Sequence, residues 1–149
     1  MSALRTVVAW NPPLVLAVLA LTTVQILKFL ITLVVQRRVD FERLTGTGGM
    51  PSSHAASVAA LATSTGLQAG WSSPLFGVAA FFSLVVMYDA AGIRRAAGRQ
   101  ARVLNRMIDD MKAHHVIEGE RLIELLGHTP LEVLIGTAYG IALAVVLQP

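Results

Sequence analysis

Four long, predominantly apolar stretches, at residues 14–35, 55–70, 74–91 and 131–147, dominate this 149-residue chain. A helix needs roughly 20 apolar residues to cross a bilayer core, with a lower limit near 17. The first stretch meets that length and the others lie near the limit. Any one of them alone could be a buried core helix. Together they leave almost no polar surface to cover a water-soluble fold, because only 14% of residues are charged, against about 25% in soluble domains. The fold class expected is all-α, a polytopic membrane bundle of about four spans (14–35, 54–70, 74–91 and 131–147) in a single membrane domain, residues 1–149. The first stretch is too long for a secretory h-region of about 7–15 residues and no small-residue cleavage site follows it, so it is read as a retained helix.

The polar residues lie between these stretches. Residues 92–128 form one long segment, rich in helix formers, with an amphipathic helix expected around 94–111 and a short helix near 119–126. Of the twelve Lys and Arg residues, Arg37, Arg38 and Arg43 follow the first span. Arg94, Arg95, Arg99, Arg102, Arg106, Lys112 and Arg121 follow the third. An even number of crossings separates the two groups, so ten positive residues share one face. Lys and Arg accumulate in cytoplasmic loops. The expected topology has both termini outside and the polar segments in the cytoplasm, in an inner (cytoplasmic) membrane. The net charge of +3 is thus a topology signal, and no nucleic-acid partner is expected. The chain has no cysteine, which excludes disulfide and thiolate chemistry.

Small residues dominate the second span, from Ala55 through Gly66. They allow close helix approach in membranes, so this helix is expected at the bundle centre. The same property makes a homodimer through small-residue faces an expectation.

Four segments carry chemistry. Lys28 sits inside the first span. A buried ammonium is costly in hydrocarbon and generally faces a polar cavity. Gln25, Lys28, Thr32 and Gln36 share a helical stripe. The alternative, snorkelling to the interface, requires a reach of eight residues, roughly 12 Å. Secondly, Gly46-Thr47-Gly48-Gly49-Met50-Pro51-Ser52-Ser53-His54 runs a glycine-rich loop into a helix start. Free N–H groups and the helix dipole favour an anion there. Gly48 and Gly49 open the backbone, Ser52 and Ser53 cap or donate, and His54 suits general acid chemistry. The bland reading is an ordinary capped turn. Thirdly, Thr129, Pro130 and Glu132 form a capping box. Glu132 also stands four residues after His128, where a carboxylate orients an imidazole. Fourthly, Asp89 precedes Arg94 and Arg95 at the end of the third span. Arginine suits bidentate phosphate recognition, or simply anchors the helix. Asp89 can pair with Lys28 or an arginine, or help hold a divalent ion. All four segments fall toward cytoplasmic ends of spans, so they can converge.

The segments Gly49-Met50-Pro51-Ser52-Ser53-His54, Tyr88-Asp89-Ala90-Ala91-Gly92-Ile93-Arg94-Arg95 and Leu126-Gly127-His128-Thr129-Pro130-Leu131-Glu132 resemble the divergent branch of the type-2 phosphatidic-acid phosphatase family. That branch is related to the vanadium-dependent haloperoxidases and was formerly catalogued as a domain of unknown function. The resemblance covers nearly the whole chain. It implies a phosphate monoester of a membrane lipid or prenyl alcohol as ligand, with Lys28 and one of Arg94 or Arg95 neutralising its charge. It implies His128 as nucleophile, Glu132 as its orienter and His54 as the acid on the leaving group. Asp89 and Gln25 would support the site, and neither a metal nor another cofactor is required. The sequence departs from the parent motifs. Val35 stands where the first motif has arginine, Ser53 replaces glycine in the second, and Leu122 stands where the third has Ser-Arg. Parent enzymes typically have six spans, and the haloperoxidases are soluble and larger. A non-catalytic lipid-phosphate binder or transporter, and a structural membrane protein, stay open as alternatives.

Overall fold

The computed structural model describes residues 8–37, 39, 41, 49–113 and 128–149, without the side chains of 36, 93–95 and 112–113. Among these residues the secondary structure is helical. It comprises α1 (Pro12–Gln36), α2 (Ser53–Ala69), α3 (Pro74–Ala91), α4 (Ile93–Ala113) and α5 (Pro130–Leu147). The short helix expected near 119–126 lies outside the described residues, as do Gly48 and Arg121.

Three helices begin by the same local chemistry. Proline occupies the first turn of α1, α3 and α5, where its missing N–H costs nothing. A polar side chain just before it accepts from a free backbone N–H. Asn11 accepts from Leu14 at 3.2 Å, Ser73 from Phe76 at 3.2 Å and Thr129 from Glu132 at 3.3 Å. The Thr129 N–H in turn donates to the Glu132 carboxylate at 2.8 Å, completing the capping box read from the sequence.

Three helices are long and apolar enough to cross a membrane: Pro12–Val35, the run Pro74–Met111 through α3 and α4, and Pro130–Leu147. With 17 residues, α2 is shorter. It nonetheless forms the centre, and α1, α3 and α5 each pack on it. Its small residues explain this. Ala55, Ala56, Ala59, Ala60, Ser64 and Gly66 are buried, and the thin side chains let neighbouring backbones approach closely. The reciprocal surface on α5 is Gly136, Gly140 and Ala144, one residue per turn. A methyl group added at Gly136 would strike the Ser52 carbonyl, and one at Gly140 the Ala56 carbonyl. Helices α2 and α5 therefore meet backbone to backbone.

Hydroxyl groups add interhelical ties. Tyr139 donates to Thr23 at 2.8 Å, Ser64 to Gln148 at 2.7 Å, and Ser83 lies 2.8 Å from the Val58 carbonyl. The outward faces of α1, α3 and α5 are apolar and exposed, as at Val34, Phe81 and Val146. On α4, Val103, Leu104 and Met107 are also exposed.

Candidate functional site

The inward face of α1 reads Leu16, Ala20, Val24, Lys28 and Thr32, and all five are buried. The ammonium of Lys28 thus continues the stripe that packs the core. It does not extend along the lipid side of the helix. Lys28 is 5% exposed. Gln25, one turn earlier, is half-buried.

The start of α2 is built from the glycine-rich segment. Gly49 has φ of 77°, a left-handed conformation that glycine adopts without a Cβ clash, and a cis Met50–Pro51 peptide follows. Ser52 is the N-cap of α2 and accepts from the Ala55 N–H at 3.3 Å. Ser52 and Ser53 are both buried. His54 occupies the first turn, half-buried.

Two backbone bonds attach this start to the other motifs. Ser52 donates its N–H to the Glu132 carbonyl at 3.1 Å, and His128 donates its N–H to the Ala90 carbonyl at 2.9 Å. The end of α3, the start of α2 and the start of α5 are thereby joined. Asp89, beside Ala90, is half-buried. Arg94 and Arg95 lie in the first turn of α4, and their side chains are outside the description.

The two imidazoles meet at this junction. The His54 and His128 ring centroids are 6.1 Å apart and the rings are tilted by 58°. His128 is 2% exposed. Its Nδ1 lies 3.4 Å from Glu132 Oε2, longer than an ideal N–H···O bond. That same oxygen accepts from Thr129, so the capping box holds the carboxylate in place beside the imidazole. Burial holds His128 below the ordinary imidazole value of 6.5, and the Lys28 ammonium pushes the same way. The Glu132 carboxylate opposes this, while His54 adds to the lowering. A neutral ring results near pH 7, with Nδ1 turned to the carboxylate. That leaves Nε2 as a nucleophile or base.

The structure therefore brings together Lys28, His54, His128 and Glu132, and Ser52 is tied to Glu132 through its backbone N–H. Sequence reasoning missed the Ala90 carbonyl, a backbone acceptor that no side-chain pattern announces. It also missed the Gly136–Gly140 approach, although that spacing stands in the sequence. Among the described residues, no three His, Cys, Asp or Glu side chains gather as a metal ion would need.

Motif order and this geometry agree with the comparison to known proteins, in which residues 9–143 match the Divergent PAP2 family. The chain belongs to that family. It is 42% identical over 148 residues to the uncharacterized membrane protein YuiD of Bacillus subtilis (strain 168), covering 92% of this chain and 94% of that protein. No solved structure matches. Apolar helices and this relative together make this chain a membrane protein.

Proposed function

We propose that this Divergent PAP2 family member hydrolyses the phosphate monoester of a lipid or prenyl alcohol through a phosphohistidine intermediate. The observation that carries the reading is the pairing of two imidazoles, 6.1 Å apart, beside a buried lysine and a carboxylate on one ring nitrogen.

In the first step, His128 Nε2 attacks phosphorus in line. An N–P bond forms and the P–O bond to the alcohol breaks. His54, protonated, gives its proton to the departing alkoxide. In the second step, neutral His54 takes a proton from water, whose oxygen attacks phosphorus. The N–P bond breaks and inorganic phosphate leaves. Lys28 neutralises charge on the phosphoryl oxygens, with Arg94 or Arg95 as the second cation. Glu132 keeps His128 oriented and stabilises its charged intermediate. Positioning and fixed charge supply most of the acceleration.

The same reading sets the protein across the membrane four times, with α4 and the site on the cytoplasmic side and both termini outside. The basic residues after α1 and α3 support it. Single cysteines at residue 2, at Arg99 and at Gln148 test this directly, because the native chain has no thiol. Residue 99 is expected to react with a membrane-impermeant maleimide only after lysis.

Release of inorganic phosphate from prenyl and glycerolipid phosphates by purified protein tests the chemistry. His128→Ala is expected to abolish release, and acid-labile label on His128 is expected in a quenched wild-type reaction. Failure of every lipid phosphate to turn over, with binding retained, would establish the rival reading, a lipid-phosphate binder. Val35 and Leu122, standing where the parent motifs carry arginine and Ser-Arg, favour that rival.

A further inference from the structure

One face of α2 is less deeply buried than the other. His54, Ser57, Leu61, Thr65 and Gln68 recur at intervals of three and four, so they share a side of the helix. The first four are half-buried and Gln68 is exposed, whereas Ala56, Ala60 and Thr63 on the far side are buried. Helices α1 and α3 flank this face, each packing on α2. Between them, toward the ends remote from His128, lies a cavity of about 530 Å³. Pro13 of α1, Leu61, Thr65 and Gln68 of α2, and Val78 and Phe82 of α3 help to line it.

We propose that this cleft holds the hydrocarbon chain of a lipid whose phosphate lies at His54. The proposal rests on the phosphate-site reading and names the part of the ligand that reading leaves open. Three observations select a lipid chain as the occupant. The face is continuous with the candidate site, because His54 is its first residue. The lining is mostly apolar, as a chain requires and a second anion does not. The opposite end of the same face has the complementary charge for a phosphate, from Lys28 and the imidazoles.

Helical rise sets the length of the ligand. Leu61 is seven residues from His54, about 10 Å along the axis, and Gln68 is fourteen, about 21 Å. Half a bilayer core is about 15 Å. A chain following this face enters the cavity only if it is longer than about 10 Å. It fills the cavity only by passing the bilayer midplane. The cleft therefore selects for long single chains and is indifferent to short alkyl phosphates.

The test uses the purified full chain in nanodiscs and a long-chain alkyl phosphate carrying a terminal diazirine. Irradiation is expected to label the lining residues of α2 and α3, in competition with unlabelled hexadecyl phosphate and not with hexadecanol. Thr65→Trp, which plugs the cleft, is expected to weaken hexadecyl phosphate binding about ten-fold and to leave butyl phosphate binding unchanged. Ala79 of α3 lines the opposite wall, and Ala79→Phe is expected to do the same, so a folding defect in one variant does not decide the matter. Label on the outer faces of α1 or α5, equal competition by hexadecanol, or a disulfide joining two copies through Thr65→Cys would each overturn the proposal. Labelling needs no turnover. Cleft labelling without phosphate release supports the cleft and sinks only the phosphatase.

Discussion

Ser52 donates its backbone N–H to the carbonyl of Glu132 at 3.1 Å, so the first turns of α2 and α5 are bonded to one another. This bond requires the two axes to lie unusually close, and Gly136 and Gly140 permit it. Gly140→Ala places a methyl group against the Ala56 carbonyl. Backbone cannot yield as a flexible side chain does, so α5 must move away from α2. We expect a loss of about 1–3 kcal/mol, read by denaturant unfolding in detergent. Gly77→Ala on α3 meets open space and is expected to be neutral or to stabilise by up to about 1 kcal/mol. Equal behaviour of the two variants would contradict backbone packing as the basis of this interface.

Protonation of His128 should respond to Glu132 with a defined sign. The carboxylate raises the imidazole value against burial. Glu132→Gln keeps the capping pattern, since glutamine also serves at that position, and removes the charge. The His128 titration, followed by 15N-histidine NMR, is expected to move to lower pH in this variant. An upward shift would mean that Glu132 does not act on the ring.

Folding stability should follow the same group. The folded-state value of His128 lies below its ordinary 6.5, so the unfolded chain binds the proton more readily. The stabilisation is fully present above pH 6.5 and fades as the pH falls through the lower folded value. Unfolding midpoints measured from pH 8 downward are expected to drop below 6.5, and His128→Gln is expected to flatten that drop. A wild-type midpoint that rises on acidification would show that the ring is buried as its cation.

Thr129 holds two backbone groups at once. Its hydroxyl accepts from Glu132 N–H, and its own N–H is bonded by the Glu132 carboxylate. Thr129→Ala is expected to cost about 1 kcal/mol, and Thr129→Ser to restore most of it. Thermal unfolding of both variants in one detergent is the measurement. Equal loss in the two would point to the methyl group, not the hydroxyl.

Local chemistry made parts of this arrangement legible in the sequence and left others hidden. The capping box at Thr129 and the helix start near Pro12 depend on neighbours within four residues, which a sequence displays directly. The central place of α2 followed from its alanines and serines, because small side chains have one main use in a bundle. Convergence of His54 and His128 required the parity of membrane crossings, and motif order reinforced it. The anchoring of His128 to Ala90 was invisible because every residue carries a carbonyl. The partner of Gly136 was equally hidden, since close approach is written on one helix without naming the other. The span count differs from the four expected, because three helices among the described residues are long and apolar enough to cross a bilayer and α2, with 17 residues against 25 in α1, is not one of them.

Lys28 provides the sharpest test of an anion site. An ammonium on the inward stripe of α1 is costly and generally faces a polar cavity or partner, and His54, His128 and Lys28 together give the junction a positive character when one ring is protonated. Inorganic phosphate that binds only the folded protein must raise its stability by mass action, by about 2.7 kcal/mol at a hundred times its dissociation constant. Wild-type protein is therefore expected to show an unfolding midpoint that climbs with phosphate concentration, more than with chloride at matched ionic strength. Lys28→Met retains the length and packing of the side chain without its charge, and is expected to lose most of that climb while still folding. Lys28→Arg is expected to keep part of it. A methionine variant that responds to phosphate as strongly as the wild type would remove Lys28 from the site.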